Sequence, residues 1–298
     1  MSVSQKMSRQ DFLRRAGALA VTAPLLSNLD AFGKAPQKVG LQLYTLRSEL
    51  AKDLEGTLKQ VAGIGYKEVE TFGYGDGKFF GKTPKEFKAL LDSLGLTAVS
   101  GHYMLGVAMP NAKGTIKNGW EQAVADASTM GMKYMNCAFL FPNERKSLDD
   151  YRNYAQLFNQ AGEATRKAGI QFGYHNHDFE FQPLDGQVPY DILLKSTDPK
   201  LVKMELDLYW VAFAGKDPVE LFKQNPGRFP LVHLKDMAKT EKREFAEVGS
   251  GSIDFQRIMD AQKIAGIQHY FVEQDAVTKG TPLEAIAISY QNVMKLNV

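Results

Sequence analysis

His102, His175, His177 and His233 are four of the five histidines in the chain, and the last three lie within three residues of an acid or an amide. Asn176 separates His175 from His177, and Glu180 follows three residues on. Glu205 precedes Asp207 by two positions, and His233 precedes Lys235 by two, with Asp236 next. Imidazole and carboxylate together form the donor set of a borderline divalent ion such as Zn, Mn or Co, or of Mg where oxygen dominates. The same groups carry protons in general acid–base chemistry. Taken singly, each is as readily a hydrogen-bonded core or rim group. Carboxylates gathered from several strands, however, repel one another unless a cation compensates. Convergence is therefore the argument, and it requires a fold that brings these segments to one place.

From Val39 onward, short apolar runs alternate with longer helical patterns. The runs cover residues 39–46, 68–73, 97–103, 134–140, 171–177, 202–210, 230–236 and 270–276. Each is short and β-prone, as expected of strands buried on both faces. Their starts lie roughly 30 to 40 residues apart, the length of one βα unit. Between them, apolar residues recur at three- and four-residue spacing, as in Phe87, Leu90, Leu91 and Leu94, or Tyr154, Leu157, Phe158 and Ala161. Gly65, Gly95, Gly131, Gly169 and Gly266 close such stripes, and Thr83-Pro84 and Asp217-Pro218 open two others. Eight such units predict an α/β protein, a (β/α)8 TIM barrel over residues 38–298. An open dinucleotide-binding sheet is disfavoured, because Tyr44-Thr45-Leu46-Arg47 follows the first run where a Gly-rich turn would stand.

In such a barrel the working residues come from the C-terminal ends of the strands. Those ends carry Glu70, His102, the His175–His177 triplet with Glu180, Glu205 and Asp207, His233 with Lys235 and Asp236, and Glu273. Strand residues two apart share a face, so His175 pairs with His177, Glu205 with Asp207, and His233 with Lys235. His269 precedes the eighth run and is expected at the opposite end. Trp210 and Tyr209 are placed either to stack on a sugar ring or to pack the rim. Phe79-Phe80 reads as a lid or a plug. The loop Gly249–Ser252 either grips a phosphate through backbone N–H groups or simply leads into a helix capped at Asp254.

The whole chain has 36 basic and 34 acidic side chains. Residues 1–37 hold five of the basic groups and two of the acidic ones, leaving 31 against 32 in the remainder. A body without basic excess is not built to neutralise a phosphate backbone, so nucleic acid is not an expected partner. A single cysteine, Cys137, excludes an intramolecular disulfide. Residues 8–15, SRQDFLRR, precede a small apolar run, Ala16 to Leu26, too short to cross a bilayer, which takes about 20 residues. This order resembles a twin-arginine export signal, with Gln10 where its second arginine would stand. Residues 1–37 are thus expected to be an export signal and linker, placing the protein in the periplasm or otherwise outside the cytoplasm. Stable membrane insertion is not expected.

The strand ends resemble the xylose isomerase-like sugar isomerase and epimerase superfamily. The likeness is carried by VETFG (residues 69–73), YHNHDFEF (174–181), ELDLYW (205–210), VHLKDM (232–237) and the glutamate of FVEQD (271–275). It implies one divalent ion (Mn, Zn, Co or Mg) held by His175, Asp207, His233 and Glu273, with Glu205 as a further ligand or base. His175 departs from the glutamate that most members place there.

The resemblance further implies proton abstraction next to a sugar carbonyl. Glu273 would be the base, with His175, His177 or Glu180 as the opposing acid and Lys235 beside the developing oxyanion. Glu70, His102, Asn176 and Trp210 would contact a small carbohydrate substrate. Isomerisation or epimerisation is the leading expectation. A β-eliminating lyase acting on a 3-keto-glycoside or related keto-sugar is the alternative, and a non-catalytic carbohydrate-binding barrel is the alternative outside enzymes. Self-association into a homo-oligomer is left open.

Overall fold

The computed structural model describes residues 38–298; the expected export segment, 1–37, lies outside them. Eight parallel strands close a barrel: β1 (Gly40–Gln42), β2 (Glu68–Thr71), β3 (Thr97–Tyr103), β4 (Tyr134–Cys137), β5 (Gln171–His175), β6 (Val202–Asp207), β7 (Leu231–Leu234) and β8 (His269–Val272). Each strand pairs with its sequence neighbours, and β8 closes on β1. Each of the eight expected runs overlaps one barrel strand, and His269, expected just before the last run, is the first residue of β8. Helices between them lie on the outside, where Leu58, Phe87, Phe158 and Phe222 are buried against the barrel. All five glycines expected to close helical stripes adopt positive φ. Thr83 caps the helix Pro84–Ser93 and Asp217 caps Pro218–Gln224, as the Thr-Pro and Asp-Pro steps predict.

Two runs continue past their strand for the same reason. Where a polar side chain turns to local backbone, the ladder stops. Asp207 accepts from Tyr209 N and Trp210 N, so the run 202–210 ends as strand at Asp207 and starts the helix Leu208–Phe213. Gln42 likewise accepts from Tyr44 N and opens a 3-10 turn over Leu43–Leu46.

Register sets what faces what inside the cylinder. Gln42 aligns with Glu70 and Glu70 with Ser100. His102 aligns with Asn136, and Asn136 with Gly173. His175 aligns with Glu205, and Asp207 with His233. Beneath this polar tier, Val99, Tyr134, Leu231 and Phe271 form a small apolar cluster of their own. His269 closes the far end by pairing with Glu68 at 2.7 Å, on the side of the barrel its sequence position implies. No helix among the described residues is long and apolar enough to cross a membrane.

Candidate active site

The polar tier draws on all eight strands or the residues directly after them and has two levels. At the inner level, the Glu70 carboxylate accepts from Gln42 Nε2 (2.7 Å), Ser100 Oγ (2.6 Å) and Asn136 Nδ2 (3.1 Å). Asn136 Nδ2 also donates to Glu205 Oε1 at 3.0 Å, so one amide spans two buried carboxylates. Three imidazoles surround the remaining oxygens. His102 Nε2 lies 2.6 Å from Glu205 Oε2 and 3.1 Å from Glu70 Oε2. His233 Nε2 lies 2.7 Å from Glu70 Oε2, and His175 Nδ1 lies 3.1 Å from Glu205 Oε2.

At the outer level, Lys235 Nζ lies 2.8 Å from Asp207 Oδ2, 2.7 Å from Glu273 Oε2 and 3.0 Å from Asp275 Oδ2. Its three N–H bonds thus face three carboxylates. His233 links the levels, its Nδ1 lying 2.8 Å from Glu273 Oε2. His175 does the same, its Nε2 lying 3.7 Å from Asp207 Oδ2.

Burial and pairing pull these groups in opposite directions. Burial pushes Glu273 up, but Lys235 and His233 outweigh it and hold the carboxylate well below its usual range. Desolvation prevails at Asp207, which rises to about 6 although Lys235 opposes it. Burial also disfavours a charged His102, yet Glu70 and Glu205 lift it to about 10. His177 faces no close acid, and burial takes it down to about 3, so it is neutral at physiological pH.

The remaining expected site residues fall around this centre. His177 lies just past β5, its ring 5.1 Å from that of His175, 5.5 Å from Trp210 and stacked on Phe179. His177 Nδ1 and Trp210 Nε1 are buried without a protein partner, as expected where a bound hydroxyl would complete them. Glu180 accepts from Tyr174 OH (2.6 Å) and His177 N (2.9 Å), which places its carboxylate beneath the His177 loop. Asn176 exchanges hydrogen bonds with the Asp207 backbone, clamping the ends of β5 and β6. Phe79 is a plug, stacked on Phe87 and fully buried; Phe80 packs edge-on against Phe72.

Four participants escape a reading of strand ends. Gln42, Ser100 and Asn136 are polar residues within otherwise apolar strands, and inward parity was the signal that could have found them. Asp275 lies two residues beyond Glu273, the same spacing that singled out His233 and Lys235. The loop after β7 also receives a definite role. Asp236 fills it, accepting from Gly249 N (2.9 Å), Gly251 N (2.8 Å), Ile253 N (3.1 Å) and Met237 N (2.7 Å). The backbone nest that would grip a phosphate holds an internal carboxylate instead. Asp254 caps the following helix, Phe255–Asp260.

Two donor groups fit a divalent ion. His102, His175, Glu205 and His233 form one; His175, Asp207, His233 and Glu273 form the other. Within each, the ligand atoms lie within 4.8 Å of one another.

Comparison with known proteins agrees with the barrel fold. Residues 58–285 match the family model described as the xylose isomerase-like TIM barrel. A solved sugar phosphate isomerase/epimerase from Parabacteroides distasonis is 32% identical, with TM-score 0.75, over 89% of this chain and 95% of that one. An inosose dehydratase from Geobacillus thermodenitrificans is 29% identical over 136 residues, 39% of this chain and 45% of the relative. The chain thus spans about half the length of the first curated relatives it matches. The IOLI protein, solved with a bound zinc atom, shares the fold at 15% identity and TM-score 0.68, over 88% of this chain and 99% of that one.

Proposed function

Because the chain belongs to the xylose isomerase-like TIM-barrel family, we propose that it is a divalent-metal-dependent enzyme that removes the proton beside a carbonyl in a sugar or polyol, as an isomerase or epimerase. The observation that carries this reading is the two-level tier itself. Three imidazoles, five carboxylates and one ammonium meet at the end of a barrel where little else compensates their charge. A divalent ion bound there supplies Lewis acidity, drawing electron density from a carbonyl and making the adjacent C–H more acidic.

The chain's own residues supply the rest. Glu273 is ionised at neutral pH and takes the proton, and Lys235 and His233 fix its orientation. Their pull weakens it as a base, which suffices only for an already acidified carbon. Neutral His177 and Trp210 offer their unpartnered ring nitrogens to substrate hydroxyls. The Asp236-filled nest removes a phosphate grip from the loop after β7, which favours an unphosphorylated substrate.

Elimination of a group beta to a ketone is the second reading. It is favoured by the inosose dehydratase relatives and by a histidine at 175. The C–H pair then forms the new double bond, and the departing oxygen takes a proton from protonated Glu273 or from solvent.

The test is turnover in D2O on ketoses, aldoses and 3-keto-glycosides with Mn, Co or Zn. Isomerisation or epimerisation leaves substrate mass unchanged apart from solvent deuterium. Elimination releases water or an aglycone. Binding without exchange or turnover would sink the enzymatic reading in favour of a carbohydrate-binding barrel. Glu273→Gln is expected to lower kcat by about 10²- to 10⁴-fold, the usual worth of a positioned base.

A further inference from the structure

We infer that this chain takes a glycoside with a planar, apolar aglycone, and that Tyr44, Phe72 and Phe80 form the subsite for that aglycone. The assignment rests on the reading that a sugar is bound at the polar tier, and it names the group that the sugar carries.

Among the described residues, the exposed large hydrophobic side chains are Tyr44, Val107, Met109, Ile264 and Ile288. The first three follow β1 and β3, at the end of the barrel that holds the tier. Tyr44, 41% exposed, meets Phe72 edge to face at 5.2 Å, and Phe72 meets Phe80 in the same way at 5.1 Å. Phe72 and Phe80 are half-buried, so three rings from two loops leave apolar area open to solvent. Apolar surface gathered at one mouth marks a place where a ligand binds.

The loop after β2 keeps one of these rings there against backbone preference. It folds into two consecutive tight turns, closed by paired hydrogen bonds between Gly75 and Lys78 and between Phe79 and Lys82. Their central pairs, Asp76-Gly77 and Phe80-Gly81, have positive φ at both residues. Asp-Gly is a favoured pair for such a turn, whereas a phenylalanine in that conformation is strained. The core does not require it. Phe79, the residue before, is fully buried and stacked on Phe87. Phe80 adds a tilted contact with the same Phe87 ring at 5.3 Å, yet keeps part of its surface in solvent. A strained side chain kept beside a site points to a task at that site.

The ladder is also tied to the tier. The Arg47 guanidinium lies over the Tyr44 ring, 4.4 Å from its centre, and donates to the Asp275 carbonyl at 2.9 Å. The Asp275 carboxylate lies 3.0 Å from Lys235 Nζ, which in turn stands 5.7 Å from the Trp210 ring. Lys235 thus links the ladder to the part of the site that carries the unpartnered Trp210 nitrogen. A monosaccharide is polar at nearly every carbon and gains little from these rings. A planar aglycone pairs with them in the edge-to-face or offset geometry that aromatic rings prefer.

The experiment measures binding of phenyl glucoside, methyl glucoside (both anomers of each) and cellobiose to the full chain by calorimetry, then turnover of their 3-keto forms. Phenyl glucoside should bind about 10-fold tighter than methyl glucoside or cellobiose. Tyr44→Ala and Phe80→Asn should each bring the phenyl-to-methyl ratio close to one. Asparagine suits the left-handed backbone, so Phe80→Asn keeps the turn. A Phe80→Asn protein with a lowered melting temperature and an unchanged ratio would show a packing role alone and overturn the assignment of Phe80. Equal binding of phenyl and methyl glucosides, or cellobiose as the tightest ligand, overturns the apolar aglycone and leaves sugar chemistry at the tier standing. Wild type that binds none of these probes overturns the subsite. Phenyl preference without turnover of any 3-keto form keeps the subsite and counts against the enzymatic reading instead.

Discussion

Glu180 shows how one buried side chain can couple stability to pH. Burial lifts its carboxyl to about 7, against the opposing hydrogen bonds of Tyr174 and His177. A folded-state value above the ordinary 4.5 means that the native protein holds a proton which the unfolded chain has lost. The stabilisation is complete below pH about 4.5 and is lost as pH rises through about 7, a swing of roughly 3 kcal/mol. Glu180→Gln can still accept from His177 N and can donate to Tyr174 OH, so it should remove this slope. Urea midpoints of the two proteins from pH 5 to pH 8 measure the difference, and parallel curves would contradict it. The same loop carries His177, so added base should loosen the site before it loosens the barrel.

At the scale of elements, strand register turns scattered polar residues into a network, and glycine makes one of its contacts possible. A Cβ at Gly173 on β5 would lie 2.0 Å from Asn136 Oδ1, so the amide that joins Glu70 to Glu205 depends on that missing atom. Gly173→Ala is expected to cost about 1 to 3 kcal/mol by overpacking, with loss of turnover, because Asn136 must leave both carboxylates. An unchanged melting temperature would count against this role.

The loop after β7 makes a second element-scale case. Asp236 satisfies four backbone N–H groups there. Asp236→Ala leaves them without an acceptor and should destabilise by about 2 to 4 kcal/mol, since bonds to a charged acceptor are worth more than neutral ones. The emptied nest is then an anion site. Inorganic phosphate should restore part of the variant's stability and leave wild type untouched, and no rescue would show that the loop collapses instead.

For the whole molecule, the concentrated polar tier links stability to ion binding. An ion that binds only the native state stabilises it by about 2.7 kcal/mol at 100 times its dissociation constant. Chelation should therefore lower the melting temperature and Zn or Co should restore it, with Mg less effective. Calorimetry with each ion checks the order. A melting point indifferent to chelator would contradict the reading of the tier as a metal centre. The near-neutral body predicts, in turn, no salt-dependent retention on nucleic acid.

By itself, the sequence determined the barrel and the residues at its working end. Alternating apolar runs and helical stripes are local patterns, and a strand buried on both faces cannot be read otherwise when the unit recurs eight times. It also singled out every imidazole and nearly every acid of the site, because such residues are conspicuous in apolar strands. Only the tertiary structure decided how they pair. That Lys235 belongs to three carboxylates, that His175 and His233 each present one nitrogen to either level, and that Asp236 fills its own loop depend on register and rotamer across strands far apart in the chain. Strand ends suffered for the same reason: Asp207 reads as strand until its carboxylate is seen to cap the next helix. Periodicity reports which face a residue occupies, whereas its partner is set by a neighbouring strand that the local pattern does not contain.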